Sequence, residues 1–419
     1  MSYDAIVVGG GLGGSTISAE LVRAGYRVLV LERETQFKDR VRGENLLPWG
    51  VAAARRLGIV QPLVEAGGRL QPFWITYMMG DKVDTRDLRA TTPDGDCALN
   101  IYHPVMQEAL LERARTMGAE IRRGATVVNV DAAEGRVPIV AFQYEGALET
   151  QSVPLVIGAD GRDSRVRGWL GFNLQRDPEL LTLAGTLVDG TDVPDDAVHL
   201  AFGPGCVVAV APQGNRRSRF YFAYPGVSHR RGLSGKQKFG EFVEACRSAM
   251  IPESWLAGTE CIGPLAEFQG FDRWVESPVK HGVVLIGDAA ASTDPSWGCG
   301  LSLTLMDVEH LSAALQAHPD RSEALAHYAK DHDSYYGALH RILGWMTELT
   351  WTPGPAADER RQRVFPRMMA DPRGFPDSIG QGPLGPSDEQ ARRLVLGLDW
   401  AAAPPTQVAS PGPTLLGAL

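Results

Sequence analysis

Apolar residues along the chain recur with two different spacings, and the alternation between the spacings outlines a fold. The first run, AIVVGGG, is followed by residues at helical spacing and by a second run, VLVLE, which predicts a strand, a turn, a helix and a second strand within residues 1–33. Further segments predict helices near 48–57, from Val105 to Met117, near 235–250 and over 323–349, and strands within 136–157.

The middle of the chain follows a different pattern, in which apolar and polar residues alternate. LLTLAGTLVDG, CVVAVAPQ and RSRFYFAYP, between residues 179 and 225, predict an antiparallel sheet with one buried face. The last seventy residues are rich in Pro and Gly, and we expect part of them to be irregular. The predicted fold class is therefore α/β, with a Rossmann-like βαβ domain, a mostly antiparallel β-sheet domain and a helical C-terminal region.

The turn after the first strand carries a GxGxxG motif, formed by Gly9, Gly11 and Gly14. In a βαβ unit these glycines permit a tight turn, close approach of a pyrophosphate and close packing of the helix on the strand. Glu32 ends the second strand, where a carboxylate can accept hydrogen bonds from ribose hydroxyls. A turn that is merely tight would not require Glu32, so the pattern predicts dinucleotide binding.

A second glycine-rich turn occurs in GDAAASTDPSWGCGLSLTL, residues 287 to 305. An apolar run of strand length precedes it, and residues at helical spacing follow it. The glycines would allow close backbone approach, and a helix start offers free N–H donors and partial positive charge. The pattern favours an anionic or electron-rich ligand, although such turns also occur as plain connections.

Composition narrows the class of protein. The 419 residues include 50 acidic and 41 basic side chains, a net charge of −9, which does not favour nucleic acid or an anionic membrane as a partner. Five cysteines without a CxxC pair argue against a disulfide framework or a structural zinc site, and no other metal site is predicted. No apolar run is long enough to span a bilayer, and no basic leader is recognised. We expect a cytoplasmic enzyme of two packed domains.

A third motif, LVIGADGRDSRVR at residues 155–167, contains the pair Asp160–Gly161, called the DG motif below. With GxGxxG before it and GD at 287–288 after it, the chain resembles the single-component FAD-dependent aromatic monooxygenases related to p-hydroxybenzoate hydroxylase. The resemblance covers roughly the first 345 residues. The chain departs from this family at Ala291, where a histidine is common, and at His103–Pro104, where an arginine is frequent. Two segments, YHPVMQEAL and DPSWGCG, are also similar to pieces of two-component styrene monooxygenases. Those enzymes lack a clear DG motif.

The resemblance implies a division of the chain into three parts. The FAD-binding domain would comprise 1–70, 97–178 and 265–345, the substrate domain 71–96 and 179–264, and the C-terminal helical or irregular region 346–419. FAD would be bound non-covalently, since no flavin-linking His or Cys is recognised. The oligomeric state stays open.

The implied reaction uses NADH or NADPH and O2 to hydroxylate or epoxidise an apolar, aromatic or unsaturated small molecule through a flavin C4a-hydroperoxide. Alternatives are a two-component epoxidase fed by a separate reductase, an FAD-dependent reductase of an isoprenoid, and a halogenase. The WxWxIP motif of tryptophan halogenases is absent, however. A non-enzymatic dinucleotide-binding protein is a further alternative.

The resemblance also implies roles for particular residues. The catalytic candidates are Arg42, Pro295 and Trp297. The residues expected to bind FAD are Gly9, Gly11, Leu12, Gly13, Gly14, Glu32, Arg33, Arg42, Gln107, Val128, Asp160, Asp288, Pro295, Gly298, Gly300 and Leu301. The candidates for the substrate pocket are Trp74, Tyr77, Phe220, Phe222, Tyr224 and Trp297, although stripes of aromatic residues are more often core.

Overall fold

The computed structural model describes residues 3–226 and 232–399. The helices within these ranges are α1 (Leu12–Arg23), α2 (Pro48–Arg56), α3 (Val60–Glu65), α4 (Leu88–Thr91), α5 (His103–Met117), α6 (Arg165–Trp169), α7 (Phe239–Arg247), α8 (Gly300–Ala317), α9 (Arg321–Trp351), α10 (Pro355–Ala370) and α11 (Glu389–Val395). The strands within them are β1 (Ala5–Val8), β2 (Val28–Glu32), β3 (Asn45–Leu46), β4 (Arg69–Gln71), β5 (Phe73–Met78), β6 (Asp81–Asp87), β7 (Ala98–Asn100), β8 (Glu120–Arg123), β9 (Thr126–Asp131), β10 (Ile139–Tyr144), β11 (Ala147–Ser152), β12 (Val156–Gly158), β13 (Leu174–Arg176), β14 (Leu181–Asp189), β15 (Ala197–Gly203), β16 (Cys206–Gly214), β17 (Arg217–Pro225), β18 (Glu260–Cys261), β19 (Ala266–Gly270), β20 (Arg273–Val275), β21 (Val279–Lys280), β22 (Val283–Leu285) and β23 (Ala291–Ser292).

The contacts divide the chain into two units. The first unit comprises residues 1–70, 99–177 and 272–336, and the second comprises 71–98, 178–271 and the chain from 337 onwards. Residues 97–98, 178, 265–271 and 337–345, which the resemblance assigns to the FAD-binding domain, lie in the second unit. The C-terminal region expected to stand apart also belongs to the second unit as far as it is described, because α10 and α11 share an apolar cluster with the last turns of α9.

The first unit is built on a six-stranded sheet in the order β21-β22-β12-β1-β2-β8. Its strands pair in parallel, except for β21 at the edge, which runs antiparallel to β22. All residues of β1, β2, β12 and β22 are buried, which explains why these strands read as continuous apolar runs. Alternate strand residues pack against helices α1, α5 and α8 on one face and against strands β9 and β10 on the other.

The strand register decides where the turns of the first unit lie. Val8 at the end of β1 pairs with Gly158 at the end of β12, and Gly158 pairs with Leu285 at the end of β22. The carboxyl ends of three neighbouring strands therefore meet at one edge of the sheet. The GxGxxG, DG and GD motifs each begin within three residues of a strand end, so the sheet brings all three together at that edge.

The second unit is built on a sheet in the order β18-β14-β17-β16-β15-β5-β6, with β19 paired to β14. Its pairs are antiparallel apart from β15 with β5, which confirms the predicted, mostly antiparallel sheet. Helix α7 packs on one face, and Trp351 at the end of α9 packs on Leu181, Leu183 and Ala223 of the other face. No helix in the described ranges is long and apolar enough to cross a membrane.

The aromatic stripe on β17 lies on the face that α7 covers. Phe220 and Phe222 are fully buried, Tyr224 is 4% exposed, and all three pack in one cluster with Phe242 and Cys246 of α7. Tyr77 joins the edge of the same cluster, with its ring against His199 and Trp255. Phe220, Phe222 and Tyr224 are core side chains, whereas Tyr77 is half-buried at the margin of the cluster, and the assignment of these residues to a substrate pocket stays a prediction. Alternation in a strand shows which residues share a face, but not that a helix covers that face.

We predict that Phe222→Ala lowers the free energy of unfolding by about 3–5 kcal/mol, because truncation of a packed ring leaves a cavity. Leu384, which is 74% exposed, provides the control, and Leu384→Ala should change stability by less than about 0.5 kcal/mol. Urea unfolding of both variants measures the difference. Equal stabilities for the two variants would show that the Phe222 ring is not part of the core.

Candidate functional site

The first glycine turn is closed by two close backbone approaches. A Cβ on Gly14 would lie 1.9 Å from the carbonyl oxygen of Gly9, and one on Gly9, whose φ is +103°, would lie 2.5 Å from the carbonyl oxygen of Ala159. The nearest atom to a Cβ on Gly11 is Nε2 of Gln107, at 3.4 Å. Gly9 and Gly14 are therefore required by packing, whereas Gly11 leaves open surface beside the start of α1.

Glu32 holds this turn in place. Its carboxylate is 6% exposed and accepts hydrogen bonds from the N–H groups of Gly10, at 2.6 Å, and Glu34, at 2.8 Å. Each carboxylate oxygen keeps a further lone pair, so the group can still accept from another donor. Arg33 is exposed and lies 3.6 Å from the carboxylate of Glu34. Within the described residues no side chain caps the start of α1, so its first N–H groups are suited to a bound acceptor.

The turn at Asp160–Gly161, called the DG turn, contains a carboxylate of which only one oxygen has a hydrogen-bond partner among the described residues. One oxygen of Asp160 accepts from the N–H groups of Arg165, at 2.7 Å, and Val166, at 3.2 Å, at the start of α6. The other oxygen is buried and has no hydrogen-bond partner among the described residues. A buried acceptor left unpaired costs free energy, so this oxygen is suited to a donor from a bound group.

The GD turn lies beside the start of α8. The Asp288 carboxylate is one-third exposed and lies 3.9 Å from the Arg42 guanidinium. A Cβ on Gly300 would lie 3.9 Å from the same carboxylate, which places Asp288 next to the first residue of α8. Helix α8 has no side-chain cap, and the preceding Gly298, with φ +67°, has open space around its Cβ position. An uncapped helix start thus lies next to a partly exposed carboxylate and a guanidinium.

Arg167 joins the DG turn to the GD turn. Its buried guanidinium donates to the carbonyls of Ala289 at 3.0 Å, Asp288 at 3.4 Å and Arg162 at 2.9 Å. Burial lowers the pKa of this guanidinium, while Asp160 and Asp288 act in the opposite direction. These carbonyls belong to both turns, so one side chain fixes the spacing between them.

The FAD binding domain family matches residues 2–335. The chain belongs to this FAD-binding family. The fold class expected from the sequence is thereby confirmed.

Relatives in this family carry out different reactions. The chain is 26% identical over 340 residues to digeranylgeranylglycerophospholipid reductase 1 of Methanococcoides burtonii, covering 77% of this chain and 75% of that one. It is 27% identical over 375 residues to a rifampicin monooxygenase of Streptomyces venezuelae, covering 85% and 74%.

Solved structures share the fold at lower identity. The flavin-dependent halogenase CmlS matches with a TM-score of 0.71 at 20% identity, over 85% of this chain and 66% of that one. Aklavinone-11 hydroxylase, solved with FAD and aklavinone, matches with a TM-score of 0.70 at 21% identity, over 88% and 70%. The FAD-binding fold therefore supports several reactions, and the reaction of this chain has to be argued from its residues.

Other residues predicted to bind FAD also lie in the first unit. Leu12 is buried at the start of α1, and a Cβ on Gly13 would lie 2.9 Å from Thr304 of α8. A Cβ on Gly43, next to Arg42, would lie 3.6 Å from Leu301. Val128 lies half-buried on β9. Pro295 and Trp297 form a half-buried single turn before α8, in which the buried carboxylate of Asp294 caps the N–H of Ser296 at 2.9 Å.

His103 holds the loop that carries Arg42. Its Nδ1 lies 2.8 Å from the carbonyl oxygen of Gly43, and its backbone N–H donates to the buried carboxylate of Glu44 at 3.2 Å. The sequence left open whether His103 contacts the cofactor or packs at the helix start. In this structure it ties the start of α5 to the loop of residues 42–44.

A buried polar cluster behind the GD turn was missed from the sequence. The carboxylate of Asp307, on α8, is fully buried and accepts from the N–H of Gly287 at 2.6 Å and from the hydroxyl of Tyr335 at 2.5 Å. Tyr328 donates to the carbonyl of Leu285 at 3.1 Å. Burial raises the pKa of Asp307, while nearby His332 and these donors act against that rise. The available signal was an aspartate at an apolar position of the helix in LSLTLMDVEHL.

The structure also shows a second missed residue, in the second unit. Arg219, in β17, is fully buried and, by strand alternation, lies on the face opposite Phe220. A charged residue inside the apolar run RSRFYFAYP was the signal for it. Of the candidate substrate residues in this unit, Trp74 stays half-buried, and its indole N–H has no partner among the described residues.

We predict that Gly14→Ala and Gly11→Ala separate packing from ligand binding. Gly14→Ala forces a clash with the backbone of Gly9 and should lower the free energy of unfolding by about 1–3 kcal/mol or more. Gly11→Ala should remain folded with nearly unchanged stability, because its Cβ meets only a side-chain amide. It should nevertheless weaken FAD binding, measured by titration of the apoprotein. Unchanged stability of Gly14→Ala would contradict the closed turn.

We predict that Asp307 and Tyr335 stabilise the GD turn as a pair. A double-mutant cycle with Asp307→Asn and Tyr335→Phe should give a coupling energy of about 0.5–3 kcal/mol in unfolding, because the two side chains share a buried hydrogen bond. Urea unfolding of the two single variants and the double variant supplies the four values. Additive effects, within about 0.3–0.5 kcal/mol, would show that the contact does not stabilise the protein.

Proposed function

We propose that the chain is an FAD-dependent monooxygenase that uses NADH or NADPH and O2 to hydroxylate or epoxidise an apolar small molecule. The observation that carries the proposal is the convergence of the three turns at one sheet edge. Together they provide features that a flavin dinucleotide requires. These are the helix N–H groups at the start of α1, the Glu32 carboxylate for a ribose, and the uncapped start of α8. FAD is bound non-covalently in this proposal.

The residues present fit FAD at each of its parts. The uncapped start of α1 beside Gly11 suits the pyrophosphate, because helix N–H groups and the helix dipole favour anions. Glu32 retains lone pairs for the adenosine ribose, with Arg33 and Val128 assigned to the adenine side. Asp160 has an unpaired buried oxygen, and Asp288 is assigned to the ribityl chain. Gln107, beside Gly11, is assigned to the same cofactor.

When bound, FAD supplies the redox and oxygen chemistry, and the protein supplies position and charge. The uncapped start of α8 at Gly300 and Leu301 would favour negative charge on a cofactor bound beside it. Gly298 keeps side chains away from this position, while Pro295 and Trp297 form its wall. Arg42, 3.9 Å from Asp288, adds a positive charge and is held in its loop through the contact of His103 with Gly43.

The substrate proposal depends on fewer residues than the sequence suggested. Phe220, Phe222 and Tyr224 are left out of it because α7 covers them, whereas Tyr77 is half-buried and stays in it. Trp74 remains a candidate, since its indole can pack against an apolar group while its unpaired N–H donates to a polar one. One relative, 27% identical, is named a rifampicin monooxygenase, and this similarity supports oxygenation of a small molecule.

A second candidate function is the reduction of an isoprenoid double bond. It is favoured by the matches to archaeal digeranylgeranylglycerophospholipid reductases, which cover about three-quarters of this chain. A third arrangement keeps the oxygenation but obtains reduced flavin from a separate reductase. The Asp160–Gly161 motif, which the two-component styrene monooxygenases lack in clear form, favours reduction and oxygenation on one chain.

Anaerobic mixing distinguishes these three arrangements. The FAD-loaded protein is mixed with NADH or NADPH, with and without phenols, indoles and alkenes, while the oxidised flavin absorbance is followed. We expect bleaching that an accepted substrate accelerates and, when oxygen is admitted, one atom of 18O2 in the product. Product that forms without O2 and carries two additional hydrogens would identify the reductase. Absence of bleaching, with turnover only after a flavin reductase is added, would identify the two-component class.

Asp288→Asn tests the assignment of Asp288 to FAD, because it removes the charge and keeps the shape. We expect FAD affinity to fall by about 1.5–3 kcal/mol, the worth of a hydrogen bond to a charged group. Titration of the folded apoprotein measures the loss. Affinity equal to that of the unchanged protein would remove Asp288 from the FAD site.

A further inference from the structure

Two histidines and a glutamate meet at the hairpin between α8 and α9. His318 directly follows α8, and Glu323 and His327 lie four residues apart on α9, so they share one helix face. The Nδ1 of His318 lies 3.4 Å from a carboxylate oxygen of Glu323. The rings of His318 and His327 are parallel, with centroids 4.1 Å apart. The three side chains each offer one ligand atom within 4.8 Å of the others.

We propose that these three side chains bind a divalent transition metal of the Zn²⁺ class. Zn²⁺ takes imidazole nitrogens at about 2.0–2.1 Å and carboxylate oxygens at about 2.0–2.2 Å, so neighbouring ligands in a tetrahedron lie about 3.4 Å apart. The separation of His318 from Glu323 already matches this value. The lone pair of an imidazole lies in the ring plane, so the His327 ring has to rotate out of its stack with His318 to enter the same sphere, and water completes the coordination.

The backbone of the hairpin holds the ligands in place before any metal arrives. The Asp320 carboxylate accepts the N–H of Glu323 at 2.9 Å, and the Asp320 carbonyl accepts the N–H of Ala324 at 3.0 Å. The N–H of His318 donates to Ala314 in the last turn of α8 at 3.1 Å. Both segments that carry ligands are therefore fixed, which reduces the ordering cost of binding.

The position of the site indicates a structural role. Helix α8 has 18 residues, so its start at Gly300 and its end beside His318 are separated by about 27 Å along the helix. A metal at the hairpin does not reach the three turns and takes no part in the redox chemistry. It would instead clamp the end of α8 to the first turns of α9.

Zinc titration of the full-length, FAD-loaded protein, purified without a polyhistidine tag, tests the proposal. Calorimetry should show one Zn²⁺ per chain, no binding of Mg²⁺ or Ca²⁺, and a rise in melting temperature on adding Zn²⁺. His327→Ala should weaken binding at least about tenfold, since even outer partners of metal ligands are worth 10- to 100-fold. Glu323→Gln should also weaken it, because the amide carries no charge.

His310→Ala is the matched control, since His310 lies on α8 outside the three ligands and pairs with Asp331 instead. It should bind Zn²⁺ as the unchanged protein does. Melting of each variant without metal checks that the fold is kept. Equal Zn²⁺ affinity in His327→Ala and His310→Ala, or no zinc bound at micromolar concentrations, would overturn the proposal. Neither result depends on turnover, so the outcome is separate from that of the proposed reaction.

Discussion

The hydrogen-bond register that pairs Val8 with Gly158, and Gly158 with Leu285, is the constraint on which the first unit depends. Parallel strands in this register end together, so the turns that follow them share one edge of the sheet. A slip of one residue in β12 would exchange its two buried faces and also move Asp160 along the edge. Burial on both faces therefore fixes the chemistry of the edge as well as the core.

Buried polar side chains fix the three turns that the strand register brings together. Glu32 fixes the first turn, Arg167 joins the second to the third, and Asp307 supports the third from behind. Each of them is buried, and each makes its contacts largely with backbone groups. Desolvation of such groups is offset only when their hydrogen bonds are made, so the turns and their supports form together or not at all. The geometry of the site is therefore set by the hydrogen bonds between the turns and these buried side chains.

Local patterns in the sequence predicted much of this arrangement. The spacing of Gly9, Gly11 and Gly14 predicted the first turn, and the apolar runs before Asp160 and Asp288 predicted the strands that precede them. The contribution of Asp307 could not be predicted in the same way, because its partner Gly287 is 20 residues away and the contact depends on how α8 packs. The packing of the aromatic stripe on β17 could not be predicted for a related reason. Alternation showed that Phe220 and Phe222 share a face, but only packing shows that α7 covers it.

The capping contact of Asp160 has a consequence for the entropy of ligand binding. Two backbone N–H groups of α6 already hold one of its oxygens, so the rotamer of the side chain is set in the protein alone. Immobilising a flexible side chain on binding costs about 0.5–1.5 kcal/mol. A donor that reaches the second oxygen meets a side chain for which that loss has already occurred during folding. A helix of only five residues thus lowers the entropic barrier to recognition at the DG turn.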